Sequence, residues 1–150
     1  MTRSEQITTE LENINIKVVE TNILDSQGLY LTNDENNYIV LKKNLSESKK
    51  VVILAHEIGH HNTGMDETKA NRWAIKQLLK LDDIIMATIN GCRSYYDLSE
   101  YLGLDEKFIR NAIKTLVQMQ GCKYENNQYV LHLYPIWVED KSTGQVWPDN

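Results

Sequence analysis

The segment LAHEIGHH, residues 54–61, limits what this chain can fold into more than any other stretch. The pattern beginning at Ser46 carries no Gly or Pro through VVILAHEI before Asn62-Thr63-Gly64 closes it, which predicts a helix capped by Ser46. On a helix, residues four apart share a face, so His56 and His60 can each offer a ring nitrogen to one ion. Glu57 lies about 100° further round, where it can reach a water on that ion without ligating it. Metal-assisted amide hydrolysis needs this arrangement, with the carboxylate taking a proton from water and passing it to the leaving amine. With 4 His in 150 residues, a shuffled chain of this composition holds about 0.006 matches to H-E-x-x-H, so the motif is a signal rather than a coincidence. The run Val51 to Ala55 also makes the helix a buried one, where unpaired imidazoles would be costly.

A catalytic zinc site takes three protein ligands and leaves a position open for water. A second helix is expected to open at Asp66 and to carry Ala70, Trp73, Ala74, Leu78 and Leu81 at helical spacing. Helical geometry places Glu67 in the middle of the face that also holds Ala70, Asn71, Ala74 and Leu78. Glu67 is therefore the candidate third ligand. Asp66 is the alternative, with helix capping a sufficient role for it, and an exposed first-turn carboxylate is the plain reading of Glu67. Asn71, one turn on, is a candidate to orient a ligand histidine from outside the coordination sphere, or is simply a surface amide. Two imidazoles and one carboxylate favour zinc over manganese or iron. His61 points away from His56 and suits a surface or supporting role, while His132 sits alone in an apolar strand-like run and reads as structural. Eight tyrosines leave room for an oxyanion-stabilising phenol, but the sequence selects none.

Before the motif the texture is strand-like: Ile14, Ile16 and Val18 alternate with polar residues, and the runs Gly28 to Thr32 and Tyr38 to Leu41 flank a turn-forming cluster at 33–37. After Leu81 an apolar helix stops at Gly91, Ser94 caps a second, Gly103 makes a tight turn, and Asp105 caps a third that Gly121 ends. That order is the order of a helix-turn-helix unit, and strand-like runs near Tyr124 and from Tyr129 to Leu133 could add a wing. The boundaries expected are 1–81, 82–137 and a loosely ordered tail, 138–150.

The net charge of -5 excludes non-specific attraction to phosphate backbones or anionic membranes by the whole-molecule field. Cys92 and Cys122 form neither a disulfide framework nor a zinc knuckle, so buried free thiols in a reducing compartment are expected. No apolar stretch resembles a signal-peptide core or a membrane span, which predicts a cytoplasmic location.

The run VVILAHEIGHHNTG followed by ETKANRWAIKQLL resembles the ImmA/IrrE family of metallopeptidases, closely over Tyr38 to Leu79. The resemblance implies that His56, His60 and Glu67 hold zinc and that Glu57 is the general base. It implies an anti-repressor of a phage or mobile element, cleaving a helix-turn-helix transcriptional repressor. The expected fold is α+β: a zincin-like small sheet with the HExxH helix and a ligand helix, followed by a winged helix-turn-helix-like part. Two other functions compete with cleavage, a repressor-binding antagonist that does not cut and a DNA-binding regulator. DNA binding is disfavoured, because the would-be recognition helix sets Lys107, Arg110 and Lys114 against Asp105 and Glu106.

Overall fold

Thr2 accepts the Glu5 backbone N–H at 3.2 Å while Glu5 Oε2 accepts the Thr2 N–H at 2.9 Å, a reciprocal cap that starts a helix no alternation pattern announces. The computed structural model describes residues 1–149 and divides between Leu78 and Leu79 into two compact units. Both are mixed α and β, with six helices and two small sheets among the described residues.

In the first unit, helix α1 is Arg3–Asn13, and Ile14 is its C-cap rather than a strand residue. The N-terminal segment thus departs from the strand-like expectation: Ile7 and Leu11 form a helical stripe packed on the core, and Ile14 is left exposed. Strand β1 (Ile16–Thr21), β2 (Gly28–Thr32) and β3 (Asn37–Lys42) form a sheet ordered β1-β3-β2. β2 and β3 are the expected hairpin, antiparallel with Tyr30 opposite Ile39, and Asn33 Oδ1 closes its turn by accepting the Asn36 N–H at 2.7 Å. β1 lies parallel to β3, so β2 is an edge strand. One face of the sheet supplies Ile16, Tyr30, Ile39 and Leu41 to a core completed by Leu11 and Leu54. Full burial of each such aliphatic side chain stabilises by about 1.5–3 kcal/mol.

Helix α2 (Glu47–Thr63) runs from the Ser46 cap to Gly64, and α3 (Glu67–Leu78) follows. Ser4 donates from its backbone and hydroxyl to the two oxygens of Glu47, at 2.8 and 2.6 Å, joining the start of α1 to the first turn of α2.

In the second unit, α4 is Leu81–Ile89, α5 Tyr95–Leu102 and α6 Glu106–Gln120. Leu81 therefore opens α4 instead of extending α3. Ser94 and Asp105 cap α5 and α6, and Gly103, at φ 68°, makes the left-handed turn between them that a Cβ would strain. An antiparallel sheet follows, ordered β4 (Lys123–Glu125), β5 (Tyr129–Leu133), β6 (Ile136–Asp140) and β7 (Val146–Trp147). The tail expected to be loose, 138–150, thus holds the end of β6 and all of β7, apart from Asn150, which lies outside the described residues. Its order comes from Val138, wholly buried, and from Asp140, whose Oδ1 accepts the Ser142 N–H and hydroxyl at 2.8 Å and the Thr143 N–H at 3.2 Å. No helix among the described residues is long and apolar enough to cross a membrane.

Candidate metal centre

Gly59 decides how near α3 comes to α2. A Cβ there would lie 2.6 Å from the Ala70 carbonyl oxygen and 3.0 Å from its Cα, so the two backbones touch where only glycine fits. Ala70 and Ala74 continue this narrow interface and are buried. Asp66 starts α3 by accepting the Lys69 N–H at 3.1 Å, which is the capping role expected of it.

That approach sets Glu67 against both histidines. Its Oε2 lies 3.0 Å from His56 Nε2 and its Oε1 2.9 Å from His60 Nε2, one oxygen per imidazole. The two rings stand nearly perpendicular, at 89°, with centroids 4.8 Å apart. Glu67 is not enclosed by the inward face of its helix as its spacing suggested; its side chain is 71% exposed. The reason is its place in the first turn, where a helical side chain leans back toward the N-terminus and past the packed alanines. His60 is buried and His56 partly so, leaving the cluster open on the Glu67 side.

His60 Nδ1 lies 2.9 Å from the Gly64 carbonyl oxygen, which can only accept, so Nδ1 carries the proton. In the neutral ring Nε2 then bears a lone pair aimed at a carboxylate oxygen 2.9 Å away. Two acceptors at that distance repel unless a proton or a cation lies between them. The donor set fits a small dication: tetrahedral bonds of about 2.0–2.1 Å separate ligand atoms by roughly 3.3 Å, a few tenths of an ångström more than here.

Glu57 is buried, and its carboxylate lies with the His56 and His60 nitrogens in a group whose atoms are all within 4.8 Å of one another. The Tyr30 backbone N–H of edge strand β2 donates to it. Burial pushes the Glu57 carboxyl up from the ordinary carboxylate range, with the Glu67 charge adding to the rise; His56, His60 and the Tyr30 N–H oppose it. Gly28 keeps β2 close: a Cβ on it would collide with Ile53 Cγ2 and sit 3.5 Å from Glu57 Cγ.

Tyr30 is the residue that sequence reasoning did not single out. Its phenol oxygen lies 2.6 Å from His61 Nδ1 and 3.2 Å from Asn37 Oδ1, so one residue touches Glu57 by its backbone and His61 by its side chain. The available signal was its place on the inward side of the hairpin preceding the histidine helix. Asn71 is exposed, and among the described residues no hydrogen bond joins it to either imidazole; the Gly64 carbonyl orients His60 instead. His132 stacks on Trp137 at 3.7 Å within the sheet of the second unit.

Two histidines one helical turn apart, a carboxylate bridging them and a second, buried carboxylate beside them define the metallopeptidase class of domain. The family model of the Peptidase M78 IrrE N-terminal-like domain matches residues 11–114, and the chain belongs to that ImmA/IrrE family. The matched span runs from the end of α1 into α6. No curated protein matches the chain.

Proposed function

We propose that the chain is a zinc-dependent, site-specific endopeptidase whose substrate is a helix-turn-helix transcriptional repressor, the action of a phage or mobile-element anti-repressor. The observation that carries the catalytic part is the contact of His60 Nε2 with Glu67 at 2.9 Å while Gly64 holds the His60 proton on the other nitrogen. His56, His60 and Glu67 would hold the metal. When bound, zinc supplies Lewis acidity, polarising a scissile carbonyl and lowering the pKa of water.

The remaining work falls to the chain itself. Glu57 takes the proton from water and returns it to the leaving amine; its raised proton affinity favours the first transfer, and a neighbouring dication would moderate it. The Tyr30 N–H faces that carboxylate and favours its charged form. The substrate is taken as an extended strand added along β2, since β2 is an edge strand and its backbone passes over Glu57 at Gly28 and Tyr30. In this reading the first unit is zincin-like and the second, with its capped helices, Gly103 turn and following strands, is a winged helix-turn-helix-like part used for docking the substrate. Its use on DNA is disfavoured by Arg110, which Glu106 holds at 2.7 Å.

The test combines metal analysis of the purified chain with intact-mass measurement after incubation with candidate repressors. The expected result is about one zinc per chain and a single pair of repressor fragments, absent with Glu57→Gln. Relief of repression by Glu57→Gln without any fragment would replace cutting by sequestration.

A further inference from the structure

The second unit contains a cavity of about 300 Å³, set among the start of α5, helix α6 and the β5–β6 connection. Leu98, Pro135 and Ile136 give it an apolar lining, and Tyr95, Arg93 and Arg110 add an aromatic ring and two guanidinium groups. Among the described residues no carboxylate lines it. Of the acids on the flanking helices, Asp97 Oδ2 accepts the Arg93 backbone N–H at 2.9 Å, and Glu106 Oε1 pairs with one arm of the lining Arg110 at 2.7 Å.

The state of the two arginines matters for what the cavity can hold. Arg110 lies 4.8 Å over the centroid of the Tyr95 ring and has N–H groups beyond the one that meets Glu106. The Arg93 side chain makes no ion pair among the described residues. With Glu106 balancing Arg110, the charge left over in a space of partly apolar walls is that of Arg93, and Arg110 adds further N–H donors. A guanidinium fork matches a carboxylate in both shape and charge. The volume lies at the lower end of small-molecule sites, roughly 300–1,000 Å³, which admits a small ligand and not a folded partner.

We propose that this cavity binds a small organic carboxylate with a flat apolar body, the head group held by Arg93 and Arg110 and the body lying on Leu98, Pro135 and Ile136 beside Tyr95. Every lining residue belongs to the second unit, so this site is separate from the metal centre and independent of the peptidase reading.

The test uses the full chain labelled for amide NMR and titrated with benzoate, with benzamidine as a cation of the same shape and inorganic phosphate as an anion with no apolar body. Benzoate is expected to bind saturably at about millimolar strength, shifting the amides of Arg93, Tyr95, Leu98, Arg110 and Ile136, while the other two probes do not. The double variant Arg93→Ala, Arg110→Ala should weaken benzoate by about tenfold or more with the rest of the spectrum unchanged, since both changes are at exposed side chains. Absence of saturable benzoate shifts, equal binding of benzamidine or phosphate, or undiminished binding by the double variant would each overturn the proposal.

Discussion

The two units differ in what faces their buried acid and imidazole groups. In the second, Thr88 donates to the Ile84 carbonyl one turn back, and Asp140 is satisfied by Ser142 and Thr143 in its own turn. In the first, buried Glu57 and His60 come from a helix whose own backbone could satisfy neither fully, and each faces a group from another element: Tyr30 for Glu57, Glu67 for His60. Locally satisfied polar groups stabilise a fold and do nothing more. Acceptors that converge from separate elements on one point, unlike the donor and acceptor of Ser4 and Glu47, need a further species between them, and that need is what distinguishes a site from a core.

The largest test of this difference is Glu57→Gln, which keeps the shape and removes the proton acceptor. Peptide cleavage should fall by about 10²–10⁴-fold with metal content unchanged by mass spectrometry. Glu67→Ala should weaken zinc binding, measured by competition with a chromophoric chelator, by at least about 100-fold, because even partners outside the coordination sphere are worth 10–100-fold. An unchanged affinity would remove Glu67 from the ligand set. Gly59→Ala forces a methyl into the Ala70 backbone and should destabilise the first unit by about 1–3 kcal/mol in denaturant unfolding, with loss of metal. A similar substitution at Gly144, where a Cβ would meet open space, strains only a local turn.

The smallest expected effect is in the second unit, at His132. Burial, and then the Lys123 charge, lower its pKa, with Glu139 opposing. A folded-state pKa below the unfolded value means that folding favours the neutral ring. This stability is complete above the unfolded value, about 6.5, and is lost as pH falls through the lowered folded one. Thermal unfolding of the second unit, followed at the Trp137 indole, should therefore weaken from pH 7 to pH 5 by less in His132→Gln than in the natural chain. Equal slopes would show that His132 does not contribute.

Much of this was legible because helix ends are written in short code. Ser46, Ser94 and Asp105 each accept an N–H three residues on, as their residue types predict, and H-E-x-x-H specifies a face without reference to the rest of the fold. What escaped was structure held by few or distant contacts. Helix α1 is polar along most of its length, and only the Thr2-Glu5 reciprocal cap signalled it. β7 is two residues long and is placed by the Asp140 turn and not by any periodicity. Tyr30 became part of the centre through strand pairing, which a linear pattern of tyrosines does not contain.

The contact between Gly59 and Ala70 has a consequence for ion selection. Because backbone meets backbone there, the gap between α2 and α3 does not depend on any side-chain rotamer and cannot widen by a rotamer change. Glu67 and the two imidazoles, at 2.9 and 3.0 Å, thus face each other across a gap whose floor is set by backbone, while the exposed Glu67 side chain can still adjust. A calcium ion, with its demand for six to eight oxygens, is poorly matched by two imidazole nitrogens and one carboxylate, whereas an ion of zinc's radius needs only a slight opening. The spacing of the two helices is thus set by a missing methyl group, next in the chain to His60 in the helix that carries both histidines.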